Sequence, residues 1–342
     1  MTRLSLYLNK VNTPTKKTIK TEQIIQESWN TMWSYNQSKF EQLTSHLEYI
    51  KKFNKQSELT SSLYFRNENQ IDSFQINQDS VSKSKYFINK KDLILHVDYA
   101  TKIGPSLNFS IGSKYIHRIN NNKFSYAVDF ENQQQEEDIF HLITEVISKN
   151  KWVNAVAAIN MELYKGNLKT NKEQIRRINY NNLLYSIILS KSLNSKNHFR
   201  LNVSRLIYRP SINMLSLFYN EQDINAIKIG NDKLKPEIHN ILSLSYSTSF
   251  SPFDLIISNT FTSIKNEINP FFNEGENSIR REFINVDTKR TVRPSIDLSF
   301  TRGNWYNQLG LSYAVFNFKG IASLISNPSK TFNSWSMQYT TT

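Results

Sequence analysis

The chain has 342 residues, of which 39% are hydrophobic and none is cysteine, and its formal net charge is +13. The absence of cysteine excludes a disulfide framework and a thiolate metal site. No stretch approaches the ~18–20 consecutive apolar residues of a transmembrane helix, which excludes a helical membrane protein.

Six short turns recur along the chain at intervals of roughly 50 residues, near positions 54, 104, 150, 195, 251 and 303. Each turn joins two segments of about ten residues in which apolar and polar side chains alternate. Longer polar stretches, centred near 80, 128, 172, 222 and 278, separate one hairpin from the next. This arrangement is typical of an up-and-down β-barrel that spans a membrane, with its short turns in the periplasm.

The alternation and the length of the segments both favour membrane strands. After the turn near 104, Leu107, Phe109 and Ile111 alternate with Asn108 and Ser110. The segments 91–103, 253–264 and 304–316 are longer than the ~5–6 residues usual in soluble strands. They fit the ~9–11 residues of a tilted transmembrane strand.

Aromatic residues cluster beside the short turns, where the interface of a membrane would lie. They are Tyr49, Phe53, Trp152, Phe199, Phe250, Phe253, Trp305 and Tyr306. The alternative interpretation is a soluble sandwich whose core these aromatic side chains cap. Both interpretations are compatible with the period of two.

Two polar stretches are predicted to be solvated loops, because they are rich in Ser, Gln, Asn and Glu. These are Asn67–Lys90 and Gln133–Asp138. Pro294 lies near the start of a predicted strand, where its missing N–H weakens the ladder unless a bulge is present.

The positive charge invites a nucleic-acid interpretation, since a basic surface attracts phosphate without sequence preference. The Lys and Arg residues are spread over turns, loops and polar strand faces instead of forming one patch. No nucleic-acid partner is therefore predicted, and a weak attraction of anionic ligands to a lumen is the more modest inference.

The chain carries no recognisable catalytic or metal-binding motif. The six histidines lie on different predicted strands or turns, without the spacing of metal ligands. No nucleophile elbow, Walker loop or dinucleotide fingerprint is present. No catalytic residue, metal site or cofactor is predicted, although a hydrolase site assembled from separate strands remains an open alternative.

One stretch is specific enough to indicate a family. Its matching residues are Arg209, Pro210 and Ser211, then Leu215 and Phe218, and then Gly230, Asn231, Leu234, Lys235, Pro236 and Glu237. They resemble the R-P-S, L-N-P-F and G-N-P-x-L-K-P-E elements of one extracellular loop in the outer-membrane barrels of TonB-dependent receptors of the Bacteroidota type. Ser216, Leu217 and Asp232 depart from this pattern.

The motif has a physical interpretation that is independent of the resemblance. Pro210 and Pro236 direct the chain at the two strand ends, and Gly230 permits a tight turn between them. Arg209 and Glu237 flank the loop at its roots and are predicted to pair across adjacent strands. Structural bracing of a long loop is favoured over direct contact with a ligand.

The resemblance implies a fold class and a domain organisation. The fold is all-β, an antiparallel up-and-down transmembrane β-barrel, incomplete, with about 12–14 strands of a barrel of about 22. Residues 1–342 then form a partial outer-membrane β-barrel domain. The polar, basic segment Met1–Lys20 contains no signal peptide, and no plug domain precedes the first hairpin.

The resemblance also implies a function in the outer membrane of a Gram-negative bacterium. The chain is predicted to be the barrel portion of a receptor and transporter that imports a scarce ligand with TonB-coupled energy. Its partners would be outer-membrane lipid, a small ligand of unknown identity, and the TonB complex through a plug not present here. The alternative is a non-transporting surface barrel used for adhesion or assembly.

Overall fold

The structure, a computed structural model, describes residues 2–25, 28–77, 81–126, 129–171, 173–215, 220–223, 226–274, 279–319 and 329–341. Within these residues the sheet has sixteen strands, and the helix α1 (Ile212–Leu215) has four residues. The strands are β1 (Thr2–Ile25), β2 (Ser28–Lys52), β3 (Ser57–Asn77), β4 (Val81–Ile103), β5 (Leu107–Tyr126), β6 (Asp129–Lys149), β7 (Asn154–Thr170), β8 (Glu173–Ser192), β9 (Asn197–Tyr208), β10 (Asn220–Asp223), β11 (Ala226–Ile229), β12 (Glu237–Phe250), β13 (Phe253–Glu274), β14 (Ile279–Arg302), β15 (Trp305–Lys319) and β16 (Ser329–Thr341).

Fourteen strands are long, and they follow one another through the sheet in chain order. The two other strands, β10 and β11, have four residues each and lie between β9 and β12 in the sequence, not in the sheet. Neighbouring long strands run antiparallel, and β11 adds a parallel pairing to the start of β14. In the described part of the chain, β1 pairs only with β2, and β16 only with β15. The predicted all-β antiparallel class and the count of about 12–14 strands are therefore confirmed.

All six predicted short turns are confirmed, and together they join twelve of the long strands. In three turns an asparagine side chain accepts hydrogen bonds from the backbone N–H groups two and three residues later. Asn54 accepts from Gln56 and Ser57, both at 2.7 Å, and Asn150 and Asn194 repeat this geometry. Gly104 and Gly303 adopt positive φ values of 71° and 61° in two further turns, which glycine permits without steric cost.

By packing, the chain divides into two compact units. The first comprises residues 1–100, 111–142 and 161–182, and the second comprises 101–110, 143–160 and 183–342. No helix in the described residues is long and apolar enough to span a membrane.

The two faces of the strands differ as the alternation predicts. In the second unit Leu242 and Leu244 of β12 and Ile296 of β14 are exposed, as are Leu95 and Leu163 in the first. Large aromatic side chains beside the turns are exposed too, with Trp152 at 67% and Trp305 at 72%. The soluble-sandwich alternative is therefore wrong, because in a sandwich these side chains would be buried against a second sheet, whereas in the described structure they are exposed.

The two polar stretches predicted to be loops are strands instead. Residues 67–77 continue β3 and residues 81–90 begin β4, while Gln133–Asp138 lies within β6. Gln133, Gln135 and Glu137 are buried, at 1%, 6% and 3% exposure. The loop prediction was wrong because a strand with polar residues on both faces shows no alternation of apolar and polar side chains. Backbone hydrogen bonds to the neighbouring strands nevertheless extend the strand through these polar residues.

Pro294 lies in the interior of β14, not near a strand start as predicted. It pairs with Asn259 of β13, but the β14–β15 pairing is interrupted between Val292 and Ser295. The register is the same on both sides of the interruption, so no bulge is present there. The missing N–H of proline is accommodated by a gap in one ladder.

Candidate functional site

The polar face of the first unit carries a row of ionised side chains on neighbouring strands, which we call the charge network. Its members alternate in sign, with three cations and three anions: Arg66 and Glu68 on β3, Lys90 and Asp92 on β4, Arg118 on β5, and Glu137 on β6. Strand register brings them together, because paired residues on adjacent strands point to the same side of a sheet.

Asp92 is the centre of the charge network. Its carboxylate accepts from Arg66 Nε at 2.8 Å through one oxygen and from Arg118 Nε at 2.9 Å through the other. Arg66 Nη2 also donates to the same oxygen of Asp92. The Asp92 side chain is 3% exposed, so these charge-assisted bonds replace nearly all of its hydration.

Glu137 extends the network to β7. It accepts from Arg118 Nη1 at 3.3 Å, from Tyr164 Oη at 2.7 Å and from Gln135 Nε2 at 3.2 Å. The Tyr164 ring lies over Gly166, where an added Cβ would approach the phenol oxygen to 2.5 Å, and it stacks on Tyr180 at 4.4 Å. Gly166 is therefore required for this placement of Tyr164.

A further buried carboxylate, outside the charge network, lies on the same face. Glu162 is 1% exposed, accepts from Asn182 Nδ2 at 3.2 Å and lies 3.7 Å from His141 Nδ1. Lys90 Nζ donates to Glu68 Oε1 at 3.1 Å within the charge network. The anions of this face are thus matched by donors, which makes a rigid, polar wall.

Toward the ends of β5 and β6 that are distant from the short turns, the same face has uncharged polar groups. Burial, together with the charge of Asp72, raises the pKa of Tyr86 to about 12, and its hydroxyl accepts from Asn122 Nδ2 at 3.0 Å. Both polar atoms of the Gln133 side chain lack a hydrogen-bond partner among the described residues. A buried unsatisfied amide is costly, so Gln133 is suited to receive a polar group from a ligand or another domain. Within the described structure, no three His, Asp or Glu side chains gather as metal ligands.

Sequence analysis missed the charge network. Its signal was present as oppositely charged residues two apart, such as Arg66 with Glu68 and Lys90 with Asp92. Their pairing depends on the relative register of β3 to β6, which a single sequence does not reveal.

The loop motif recognised in the sequence folds into a compact anchor in the second unit. Met214 and Leu215 of α1 donate backbone N–H groups to Ser211 O at 2.9 and 3.2 Å. Asn231 N donates to Met214 O at 2.7 Å, so the third element of the motif contacts the helix α1 that follows the first element. Pro210, Leu215, Gly230 and Leu234 are buried in this anchor.

Two asparagines tie the anchor to β14. Asn231 Nδ2 donates to Phe283 O at 2.9 Å, and Lys233 N donates to Asn231 Oδ1 at 2.9 Å. Asn285 accepts from Lys235 N at 2.7 Å and donates to Lys235 O at 2.9 Å. The pairing of one side-chain amide with both backbone groups of Lys235 fixes the end of the loop in register with β14.

At the root of the loop, Glu237 begins β12. It accepts from Ile268 N at 2.7 Å through one oxygen and contacts His239 Nε2 at 2.5 Å through the other. Pro236 O accepts from Asn266 Nδ2 at 3.4 Å. The predicted pairing of Arg209 with Glu237 stays a prediction, and Phe218 lies outside the described residues.

Asn231→Ala should loosen the anchor without unfolding the sheet. The substitution leaves the carbonyl of the buried Phe283 without its donor, which costs about 1–3 kcal/mol. We expect the segment 209–236 of the folded protein to be cleaved about tenfold faster by chymotrypsin, whose sites neither variant alters, in limited proteolysis.

Lys233→Ala is the matched control for this prediction. The Lys233 side chain is exposed, and its contribution to the anchor is a backbone N–H that alanine retains. Equal cleavage rates in the two variants would contradict a bracing role for Asn231.

Comparisons with known proteins agree with the antiparallel sheet described above. The profile described as the outer membrane protein beta-barrel family matches residues 33–342. The copper transporter OprC has a TM-score of 0.63 at 9% identity, over 98% of this chain and 63% of OprC. The ferric citrate transporter FecA, in the unliganded form, has a TM-score of 0.60 at 9% identity, over 96% of this chain and 55% of FecA. No curated protein sequence matches the chain.

A third solved structure, the hemophore receptor HasR of Serratia marcescens in complex with HasA and heme, has a TM-score of 0.54 at 8% identity. The alignment covers 90% of this chain and 66% of HasR. The chain therefore spans less than two thirds of each of these proteins. At these identities the likeness establishes the fold alone.

Proposed function

Because the chain belongs to the outer membrane protein β-barrel family, we propose that it forms the barrel portion of a TonB-dependent receptor that imports a scarce ligand. The family lies in the outer membrane of Gram-negative bacteria. The observation that carries the proposal is the superposition of nearly the whole chain on a copper transporter and a ferric citrate transporter.

In this proposal the two faces of the sheet have separate roles. The exposed apolar face, with Leu95, Leu163 and Leu244, contacts outer-membrane lipid. The opposite face, with the charge network and Gln133, lines the lumen. The proposed partners are therefore lipid, a small polar ligand, and the TonB complex acting through a plug domain.

The proposal includes the domain organisation and the role of the loop motif. Residues 1–342 are a barrel domain, and the Bacteroidota type remains a prediction from the motif. The anchor built by Ser211, Asn231 and Asn285 braces a long loop, which supports a structural role. The receptors and transporters among the solved structures favour transport over enzymatic activity.

The experiment compares the native host with and without the protein. Cells are supplied with radioactive ferric citrate, heme or copper, the ligands of the similar structures, and accumulation is measured with and without a protonophore. Binding of the full-length receptor, purified from the host together with its plug domain, to the periplasmic domain of TonB is measured in parallel, because TonB acts through the plug and this assay requires no knowledge of the ligand. Importer function requires TonB binding and energy-dependent accumulation.

The alternative is a surface barrel without transport. It requires normal insertion into the outer membrane, no binding to TonB, and cell adhesion that is lost when the protein is removed. Absence of TonB binding would therefore overturn the importer and leave this second function.

The orientation of the sheet is tested by single cysteines, which the native chain lacks. With the short turns in the periplasm, Lys196→Cys and Asn304→Cys should resist an impermeant maleimide on intact cells and react after permeabilisation. Lys123→Cys, near the opposite end of β5, should react in both conditions because that side chain is exposed. Labelling of the two turn positions on intact cells would show that the short turns face outward and would contradict the proposed orientation.

A further inference from the structure

The apolar face of the second unit ends in a group of exposed basic side chains, which we call the basic patch. It consists of Lys265 on β13, Arg290 on β14 and Lys319 on β15. All three lie toward the strand ends that are distant from the short turns. No ion pair involves any of them within the described residues.

The register places the three residues side by side. Thr288 pairs with Lys265 on one side and with Lys319 on the other, which makes one row across three strands. In the next row Arg290 pairs with Ser263 and Asn317. Because paired residues point to the same face, the three cations surround the Thr288 side chain.

The spacing suits a phosphate group. With strands ~4.8 Å apart, Lys265 and Lys319 are about 10 Å apart at their backbones, and Arg290 is about 7 Å from the centre of the row. Long flexible side chains converge over this distance, and Arg290 supplies a planar donor pair for phosphate oxygens. The patch thus offers three charges and the hydroxyl of Thr288 to one anion.

Acidic residues do not neutralise the patch. Two carboxylates lie near the patch in the pairing pattern, Glu267 and Asp287. Glu267 is bound by Lys289 Nζ at 2.6 Å, and the exposed Asp287 forms no ion pair with any of the three cations within the described residues. Lys289 lies on the opposite face, where its ammonium is 5.6 Å from the Phe316 ring and 5.2 Å from the Phe318 ring. The charge of the basic patch is therefore available to a partner.

The patch lies directly beyond the apolar band. Phe261, Val292 and Val315 form the row one step closer to the turns, and Phe261 and Val292 are exposed there. Lys265 is twelve residues after Phe253, the first residue of β13. At ~3.4 Å per residue and a tilt of about 40°, this places it about 30 Å above the turn, just past an apolar band ~25 Å tall.

We propose that Lys265, Arg290 and Lys319 bind the phosphate of an anionic lipid headgroup in the outer leaflet. Height, charge and position on the lipid-facing side agree with such a partner, and the apolar row beneath the patch would contact its acyl chains. The proposal rests on the orientation proposed above and is independent of transport, so the cysteine experiment tests its premise separately.

The test uses the protein inserted by its host and transferred to phosphatidylcholine nanodiscs. Binding of lipid A, which carries phosphate groups, is titrated against binding of dephosphorylated lipid A and of inorganic phosphate. The variant Lys265→Gln/Arg290→Gln/Lys319→Gln should bind lipid A about 100-fold more weakly, since each basic residue near an anionic surface contributes about fivefold. The variant Lys265→Arg/Arg290→Lys/Lys319→Arg should keep the affinity within about threefold because its charge is unchanged.

A matched control removes three exposed charges near the short turns of the same unit, by Lys191→Gln/Lys196→Gln/Arg302→Gln. Its lipid A affinity should equal that of the native protein. Heat-modifiable migration in detergent gels confirms that each variant is folded. Equal affinity for dephosphorylated lipid, equal affinity for inorganic phosphate, an equal loss in the control variant, or no loss in the glutamine variant would each overturn the proposal.

Discussion

Asp92→Asn should lower the free energy of unfolding by about 3 kcal/mol, the low end of the ~3–5 kcal/mol seen when one member of a buried ion pair is removed. The substitution keeps the shape of the side chain but removes the charge that Arg66 and Arg118 share. The effect lies at the low end because these two side chains remain 30% and 33% exposed and regain some hydration. Urea unfolding in lipid vesicles measures the loss.

Asp254→Asn is the control. Because the Asp254 carboxylate is exposed, this substitution should lower the free energy of unfolding by less than about 0.5 kcal/mol. A double variant with Arg66→Met removes one of the stranded cations. Its total loss should be smaller than the sum of the single losses by at least about 1 kcal/mol. Additive losses would show that Asp92 and Arg66 act independently, and the charge network would not be a unit.

Leu244→Arg should cost about 2–4 kcal/mol in vesicles, since it places a charge among lipid chains near the middle of the apolar band. Leu244 is 53% exposed and pairs with Leu201 of β9 and Asn259 of β13. The same unfolding measurement reports the loss, and short-chain lipids should reduce it because the bilayer is thinner.

Ser243→Arg is the control on the opposite face. Its neighbours in the register are Asn202 and Thr260, and the substitution loses one hydroxyl contact of 3.0 Å to Thr260, worth about 1 kcal/mol. Ser245 is less suitable, because it pairs directly with Arg200 and an added cation would be repelled. If Ser243→Arg costs more free energy of unfolding than Leu244→Arg, the face assigned to lipid is the wrong one.

The six turns and the face of each hairpin were predictable because their causes are local. Asn54, Asn150 and Asn194 close their own turns with side-chain bonds to the next few backbone groups. Gly104 and Gly303 supply a conformation that other residues adopt at a cost.

The outer halves of the strands were not predictable by the same reasoning. Gln133–Asp138 has the composition of a solvated loop, yet Glu137 is held by Arg118 and Tyr164 from two other strands. Likewise, the motif predicted a braced loop but not its attachment to β14 through Asn285, fifty residues away from Lys235. Such partners are distant in the chain, and only the register of the folded sheet brings them together.

The sequence by itself determined the period of two, the positions of the short turns and the side chains of the exposed apolar face, because these depend on neighbours within a few residues. Only the tertiary structure decided that the polar stretches are paired strands, that six ionised side chains form the charge network, and that Lys265, Arg290 and Lys319 meet on one surface. The physical reason is that backbone hydrogen bonds specify pairing without regard to side chains, so one choice of register sets all cross-strand contacts together.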